Sequence, residues 1–375
     1  MADMGLQLRS TVAEDNTLTL SLEEVAIPEP GPDEVLVKVE AAPINPSDLA
    51  LLLGPADISS GRVTGTAERP VVTFDIPAEA MPMVAARVGQ SLPVGNEGAG
   101  TVVAVGSSEL SQSLMGKTVG IFGGETFGHY RCLPAFLCLE LHQDTTATEG
   151  ASCVVNPLTA LAMVETMRME GHKALVHTAA ASNLGQMLNR ICLADGVDLI
   201  NIVRKPEQVA ILEGLGARYI VNSSEDDFYE KLTAAIKETG ATLAFDATGG
   251  GKLANQVMTC MEAAAASDMT EYNRYGSDTY KQLYIYGRLD LTPTLLSLNY
   301  GFAWGIGGFL LTHFLQRVGL EKVGALRDRV AREIKTTFAS HYAQDVSLTG
   351  ALALEAIAEY NRKSTGDKFL LKPWD

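Results

Sequence analysis

Residues 176–189 read VHTAAASNLGQMLN, an apolar strand that runs through small residues into a helix. A dinucleotide-binding protein places its glycine-rich phosphate turn at such a junction. The first glycine allows a tight turn, the second lets the backbone approach the pyrophosphate, and the third lets helix and strand pack closely. In that register the three positions are Ala180, Ser182 and Gly185, so one glycine survives. Alanine serves at the first position when φ stays negative, and Ser182 is small enough to leave room. The Ser182 hydroxyl or the Asn183 amide would meet a phosphate at the helix N-terminus, with Leu184 completing the turn. Small residues at a strand–helix joint also arise from packing alone, so the stretch by itself leaves both readings open.

The flanking pattern extends the first reading. The helix over 184–194 sets Leu184, Met187, Leu188 and Ile191 on one face. Strands are predicted at 173–179, 197–203, 218–222, 242–248 and 282–287, each separated by a helix-length segment, with Pro206 in the first turn of a helix. Strand–helix alternation of this length specifies an α/β fold with a doubly wound parallel sheet. Ligands of open α/β sheets sit outside the carboxyl ends of the strands. That rule selects His177, Thr178, Arg204, Lys205, Asn222, Ser223, Asp246, Thr248, Tyr286 and Gly287. The second strand ends NIVRKPEQ, with Arg204 19 residues after Gly185. An NAD site carries an acid near this point, whereas an NADP site carries basic residues for the 2′-phosphate. Arg204 with Lys205 fits the second case, because a guanidinium grips phosphate through two parallel bonds. NADPH is therefore the expected cofactor; the competing reading is a solvated basic pair ahead of a helix.

Upstream, the texture is that of a β-rich domain. EVLVKVEAAPI (34–44) and GTVVAVG (100–106) are valine-rich runs, and PEPGPDE (28–34) places a turn before the first of them. Residues 55–92 lack periodicity and hold several prolines, which predicts long loops with one short strand or helix at most.

A length of 375 residues with 46% hydrophobic content accommodates two cores. The net charge of −16 argues against nucleic acid and membrane surfaces as partners. A small anionic ligand stays compatible, through local basic residues. The 5 cysteines form no CxxC pair, which favours reduced thiols. MADMGLQLRS has no apolar core of a signal peptide, and the longest apolar stretch, 301–311, is too short to span a bilayer. A cytoplasmic protein is expected.

With these pieces in place the chain resembles the medium-chain dehydrogenase/reductase superfamily, in its zinc-independent NADPH:quinone oxidoreductase branch. The motifs that carry the resemblance run in order: PGPDEVLVKV (30–39), INPSD (44–48), VGNEGAGTVVAVG (94–106), GKTVGIFG (116–123) and GHYRCLP (128–134). They continue through NPLTA (156–160), the turn at 176–189, LGARYIVN (215–222), FDATGG (245–250) and GDKFLLKP (366–373). The resemblance implies a GroES-like β-barrel catalytic domain over 1–141 and 338–375, a Rossmann NADP-binding domain over 142–337, an active site in the cleft and a homodimer formed through the edge of the Rossmann sheet. Zinc-dependent relatives carry a cysteine near INPSD and a histidine where this chain has Asn96. Here those places hold Asn45-Pro46-Ser47 and Asn96, and no cysteines cluster, so no metal is expected. Asp48 and Glu97 read as hydrogen-bond acceptors.

Lacking a Lewis acid, the expected reaction is hydride delivery from NADPH to a quinone or another activated alkene or enone. An enoyl-thioester reductase, or a cofactor-binding protein with little turnover, are the alternatives. Enoyl-thioester reductases carry a tyrosine soon after NPSD; NPSDLALLLGPAD has none, which leaves Tyr130, Tyr286 and Tyr300 as candidate donors. The resemblance implies that Asn45 and Asp48 border the substrate and that Asn156 and Thr159 lie near the nicotinamide. Asn156 could equally cap a helix starting at Pro157. His129 is either a proton source or structural. The insertion at 55–92 is expected to form a lid or reshape the pocket, and 298–311 to form the loop over the nicotinamide.

Overall fold

The computed structural model describes residues 3–362, 365–366 and 368–375. The strand that opens residues 176–189 is β1 (Ala174–His177), followed by α1 (Asn183–Asp195), β2 (Asp198–Val203), α2 (Pro206–Gly214), β3 (Tyr219–Asn222) and α3 (Phe228–Thr239). The series continues with β4 (Leu243–Asp246), α4 (Leu253–Ala266), β5 (Lys281–Ile285) and β6 (Trp304–Gly308). The six strands form one parallel sheet in the order β3-β2-β1-β4-β5-β6, a doubly wound arrangement. Strands covered by helices on both faces read as continuous apolar runs, and Val176, Ile200, Ile202, Val221, Ala244 and Leu283 are all buried in one core with Phe228, Leu232, Val257 and Met258. Pro206 occupies the first turn of α2, as its missing N–H allows.

Two expectations change here. Residues 298–311, expected as a covering loop, contain β6, which pairs in parallel with β5 from Lys281↔Trp304 to Ile285↔Gly308. Pairing to a neighbour overrides the weak strand preference of its glycines, while Tyr300, fully buried, fills the core beneath Trp304. Tyr300 is thus a packed aromatic rather than a candidate proton donor. Lys281 is also fully buried, its ammonium donating to Glu262 (2.6 Å) and Ser277 (3.1 Å), which fastens the α4–β5 connection to the start of β5.

Among the described residues, the strand ladders of the second unit are antiparallel apart from Gln344–Val346 with Phe369–Leu371. Met4–Val12 and Thr17–Ala26 form a hairpin whose turn places Asn16 at a left-handed φ of 62°. Residues 55–92 do not form long loops: Asp57–Gly65 and Pro70–Asp75 make a second hairpin that extends this sheet through pairs such as Leu18↔Phe74. Val72 and Phe74 face the core, but Asp57–Gly65 lies largely exposed and has no apolar alternation, so its strand character comes from its partner. The other sheet is built on Glu34–Ile44, which pairs with Glu97–Val105, Tyr130–Pro134 and, at its far end, Phe369–Leu371.

The compact units are Met1–Val155 with Arg327–Asp375, and Asn156–Leu326. The outer pieces therefore reach beyond residues 141 and 338. The N–H groups of Val154 and Val155 bond the Glu97 carboxylate, and Arg327 donates to the carbonyls of Phe136 and Cys138.

Trp374 closes the C-terminal segment onto this unit. Its indole N–H donates to Val39 O (2.7 Å), its ring stacks on His129 at 4.1 Å, and Lys38 lies over it at 4.5 Å. Replacing Trp374 by Ala is expected to cost about 2 kcal/mol, the sum of one hydrogen bond and a stacked pair. Urea unfolding followed by circular dichroism should report this as a lower midpoint.

Candidate cofactor and active site

The candidate phosphate turn is built on one close approach. A Cβ at Gly185 would lie 2.6 Å from Ala180 C and 2.8 Å from Ala180 Cα, so α1 can start against the turn only because residue 185 lacks a side chain. Ala180 keeps a negative φ, and the left-handed position falls one residue earlier, at Ala179 (φ 52°). Ser182 caps α1: its Oγ accepts the Gly185 N–H at 3.2 Å, which leaves the hydroxyl proton to donate outward. Asn183 and Leu184 open the first turn, where the helix dipole favours an anion.

Beside the turn, Thr178 donates to Asp246 Oδ1 (2.7 Å) and accepts the Ala247 N–H (2.8 Å). Asp246 also accepts the N–H groups of Thr248 and Gly249. This buried carboxylate joins the ends of β1 and β4. Gly287 lies against Ala247, where a Cβ would come within 2.5 Å of the Ala247 carbonyl oxygen. At the end of β2, Arg204 and Lys205 are exposed, and neither forms a salt bridge among the described residues. Their backbone N–H groups both donate to Gln208 Oε1. The Ser224 hydroxyl lies 2.6 Å from Arg204 O and 2.7 Å from Asn222 Oδ1, tying Asn222 at the end of β3 to the basic pair. Thr159 is buried in the helix Val155–Met169. Asn156 lies inside the first turn of that helix, which starts at Val155, so it does not cap a helix beginning at Pro157.

In the other unit, Asn45 and Asp48 share one turn around buried carboxylates. Asp48 accepts the N–H groups of Asn45 and Asn96, both at 2.7 Å. Asn45 Nδ2 donates to Glu97 Oε1 (2.9 Å), while Glu97 Oε2 takes the N–H groups of Val154 (3.1 Å) and Val155 (2.8 Å). Lys368 donates to Ser152 Oγ (2.7 Å), which is 2.9 Å from Tyr342 OH. Lys368, Ser152 and Tyr342 escaped the sequence reading because only strand pairing at Phe369–Leu371 brings them here. At the two expected zinc positions, Asn45 and Asn96 are amides that donate to Glu97 and to Ser47. Among the described residues, no group of three or more His, Cys, Asp or Glu is placed to hold a metal.

The remaining candidates sort by their partners. His129 accepts the Leu6 N–H through Nδ1 and bonds Pro373 O through Nε2 (3.1 Å), a structural role. Tyr130 packs edge-on against Trp374. Tyr286 lies half-buried just beyond β5 with its OH 2.7 Å from Nε2 of the fully buried His177. That contact spans 109 residues, and no local spacing signals it.

Burial pushes the Asp48 carboxyl up to about 7, with Glu97 adding to the rise and the Asn45 and Asn96 N–H groups opposing it. Burial also raises Glu97, against the pull of Lys368. The Lys368 ammonium is pushed down to about 8, again mainly by burial. The native state holds the Asp48 proton more tightly than the unfolded chain, so stability falls as pH rises from 3.8 to about 7. For Lys368 the unfolded chain holds more protons between about 8 and 10.5, so stability recovers as pH rises across that window. Urea unfolding at stepped pH should show Asp48→Asn flattening the acid limb and Lys368→Met the alkaline one.

Comparison with known proteins agrees with this architecture. Residues 31–151 match the model of the alcohol dehydrogenase GroES-like domain, and residues 184–267 that of the zinc-binding dehydrogenases. The mitochondrial enoyl-[acyl-carrier-protein] reductase of Caenorhabditis elegans is 26% identical over 257 residues, 66% of this chain. The match spans 65% of that relative's length, just under two thirds. A crystal structure from Mesorhizobium loti, provisionally assigned as an NADPH:quinone reductase, superposes with a TM-score of 0.73 at 27% identity, covering 99% of this chain and 98% of the other. A mutant form of enoyl thioester reductase from Candida tropicalis shares the fold at 21% identity, with a TM-score of 0.66 and coverage of 99% and 100%. A GroES-like unit joined to a Rossmann-type parallel sheet, with both family models in register, makes this chain a member of the medium-chain dehydrogenase/reductase superfamily of oxidoreductases.

Proposed function

We propose that this oxidoreductase is zinc-independent and transfers a hydride from NADPH to a quinone or another activated alkene or enone. The observation that carries the reading is the pair of features at adjacent strand ends: a capped helix start held against the turn by Gly185, and the exposed basic pair Arg204–Lys205, free of salt bridges among the described residues, after β2. The turn fits a pyrophosphate, because Ala180 and Gly185 leave backbone rather than side chains at the helix start. Ser182 and the first-turn N–H groups of α1 would hold it, and Arg204 with Lys205 would take the 2′-phosphate. The dihydronicotinamide supplies the hydride when bound. Gly287, packed against Ala247, and Thr248, held by Asp246, would border it at the neighbouring strand ends.

Zinc-independence rests on the amides at 45 and 96, which are weak metal ligands already committed as donors. In the other unit, the turn of Asn45 and Asp48 would border the acceptor, with both side chains buried beneath it. The enoyl-thioester reading is kept alive by the name of the C. elegans relative, a reductase of acyl-carrier-protein thioesters. A homodimer is proposed through β6, an open sheet edge beside exposed Leu295, Leu298, Phe302 and Leu310. A cytoplasmic location is proposed as well; no helix among the described residues is long and apolar enough to cross a membrane.

The test is separate titration with NADPH and NADH, followed by a screen of quinones, enones and enoyl thioesters for NADPH consumption. Tighter binding of NADH than of NADPH would remove the phosphate role of the basic pair. Arg204→Asp is expected to weaken NADPH about tenfold to a hundredfold through loss of a charge-assisted contact, leaving NADH within about twofold. Equal losses for both cofactors would indicate a folding defect.

A further inference from the structure

Reduction of an alkene and reduction of a quinone diverge once the hydride has been transferred. A quinone that gains a hydride becomes an oxyanion, which water can protonate. An activated alkene that gains a hydride at its β-carbon becomes an enolate, and its α-carbon must then receive a proton. The tyrosine that follows NPSD in enoyl-thioester reductases is absent here, so the sequence leaves this proton without an owner.

We infer that Tyr286, oriented by His177, is the donor of this proton. The inference rests on the oxidoreductase reading above and adds a residue to it. Tyr286 stands just past the carboxyl end of β5, its N–H bonded to Asp246 O (3.0 Å), on the rim where open α/β sheets hold their ligands. The other tyrosines considered are committed elsewhere. Tyr300 is sealed in the core, Tyr130 packs on Trp374, Tyr284 donates to Glu170 and Tyr342 pairs with Ser152. Tyr286 alone among these is half-buried on that rim with a histidine as its hydroxyl partner.

The surroundings of His177 fix its protonation state. The ring is fully buried, and burial lowers its pKa to about 3, so it is neutral at any working pH. Nδ1 is buried without a hydrogen-bond partner. A bare lone pair is cheaper to leave unmet than an N–H, which places the ring proton on Nε2, facing the Tyr286 oxygen. Nε2–H then donates to the phenol oxygen, and the phenol proton is left without an acceptor among the described residues. Burial, with Asp246 nearby, raises the phenol and keeps it protonated between turnovers.

The step balances. The hydride adds to the β-carbon and the alkene π electrons move toward the carbonyl, giving the enolate. The Tyr286 O–H bond breaks as a C–H bond forms at the α-carbon, and the resulting phenolate keeps the electron pair. His177 Nε2–H supports that charge until solvent returns the proton. An enolate carbon is far more basic than a phenolate, so the transfer runs downhill despite the raised phenol.

The test uses a 2-methyl enone, whose α-carbon becomes a stereocentre on protonation. Wild type is expected to give one α-enantiomer. Tyr286→Phe should lower turnover about tenfold or more and scramble the α-centre while the face of hydride addition is kept. His177→Gln, which can restore a donor near Nε2, should retain more of the α-selectivity than His177→Leu. Independently of turnover, 15N NMR of the cofactor-free protein should show the Nε2–H tautomer at His177. A single α-enantiomer from Tyr286→Phe, an Nδ1–H tautomer, or loss of NADPH binding in Tyr286→Phe would each overturn the inference. A wild type that reduces quinones but no alkene overturns it and leaves the parent reading standing. A wild type that oxidises NADPH with no quinone, enone or enoyl thioester defeats both.

Discussion

Backbone meets backbone between Ala180 and Gly185, and the end of the sheet where β1 passes into α1 depends on that contact. Because residue 185 has no side chain, α1 begins against the carbonyl that precedes it. That contact aims the first-turn N–H groups outward from the sheet, and it lets Ser182 reach back to cap the helix. A methyl group there would push the helix away and turn the same N–H groups aside. The neighbouring strand ends obey the same rule: Gly287 sits against Ala247, and the Asp246 carboxylate gathers β1 and β4. Small residues set the spacing, and one buried acid sets the alignment.

The antiparallel unit solves a different problem with the same means. Glu97 and Asp48 lie buried where zinc-dependent relatives would present ligands. Here the surrounding groups are donors: the Asn45 amide, backbone N–H groups, and Lys368 nearby. Each charge is held at a cost in burial and offset by hydrogen bonds that also fix the chain. The turn at Asn45–Asp48 is consequently held in one geometry.

Much of the sheet was legible because parallel strands buried on both faces are short unbroken apolar runs. ALVH, LINIV and LAFD announce themselves in this way. The hairpin at 57–75 was not legible, since Asp57–Gly65 is an exposed edge with no face to bury. Likewise WGIGG reads as loop until its register with β5 is known. At the site, the turn residues and the basic pair were readable because the chemistry follows from local spacing. His177 with Tyr286, and Lys368 with Ser152, were not; each pair is made by strand order, and strand order leaves no trace in adjacent residues.

The pairing of Phe369–Leu371 with Ala42–Ile44 has a consequence for the order of folding. The parallel-sheet unit is continuous in sequence, over Asn156–Leu326, so it can assemble as soon as it has left the ribosome. The antiparallel unit cannot close until more than 300 further residues have been synthesised after Ile44 and the last strand arrives. During that interval Ala42–Ile44, the far end of the Glu34–Ile44 strand, offers an unpaired edge, and Glu97 lacks the lysine that balances it. Newly made chains therefore pass through a stage with one finished unit and one waiting, in which chaperone binding or aggregation would centre on the N-terminal sheet.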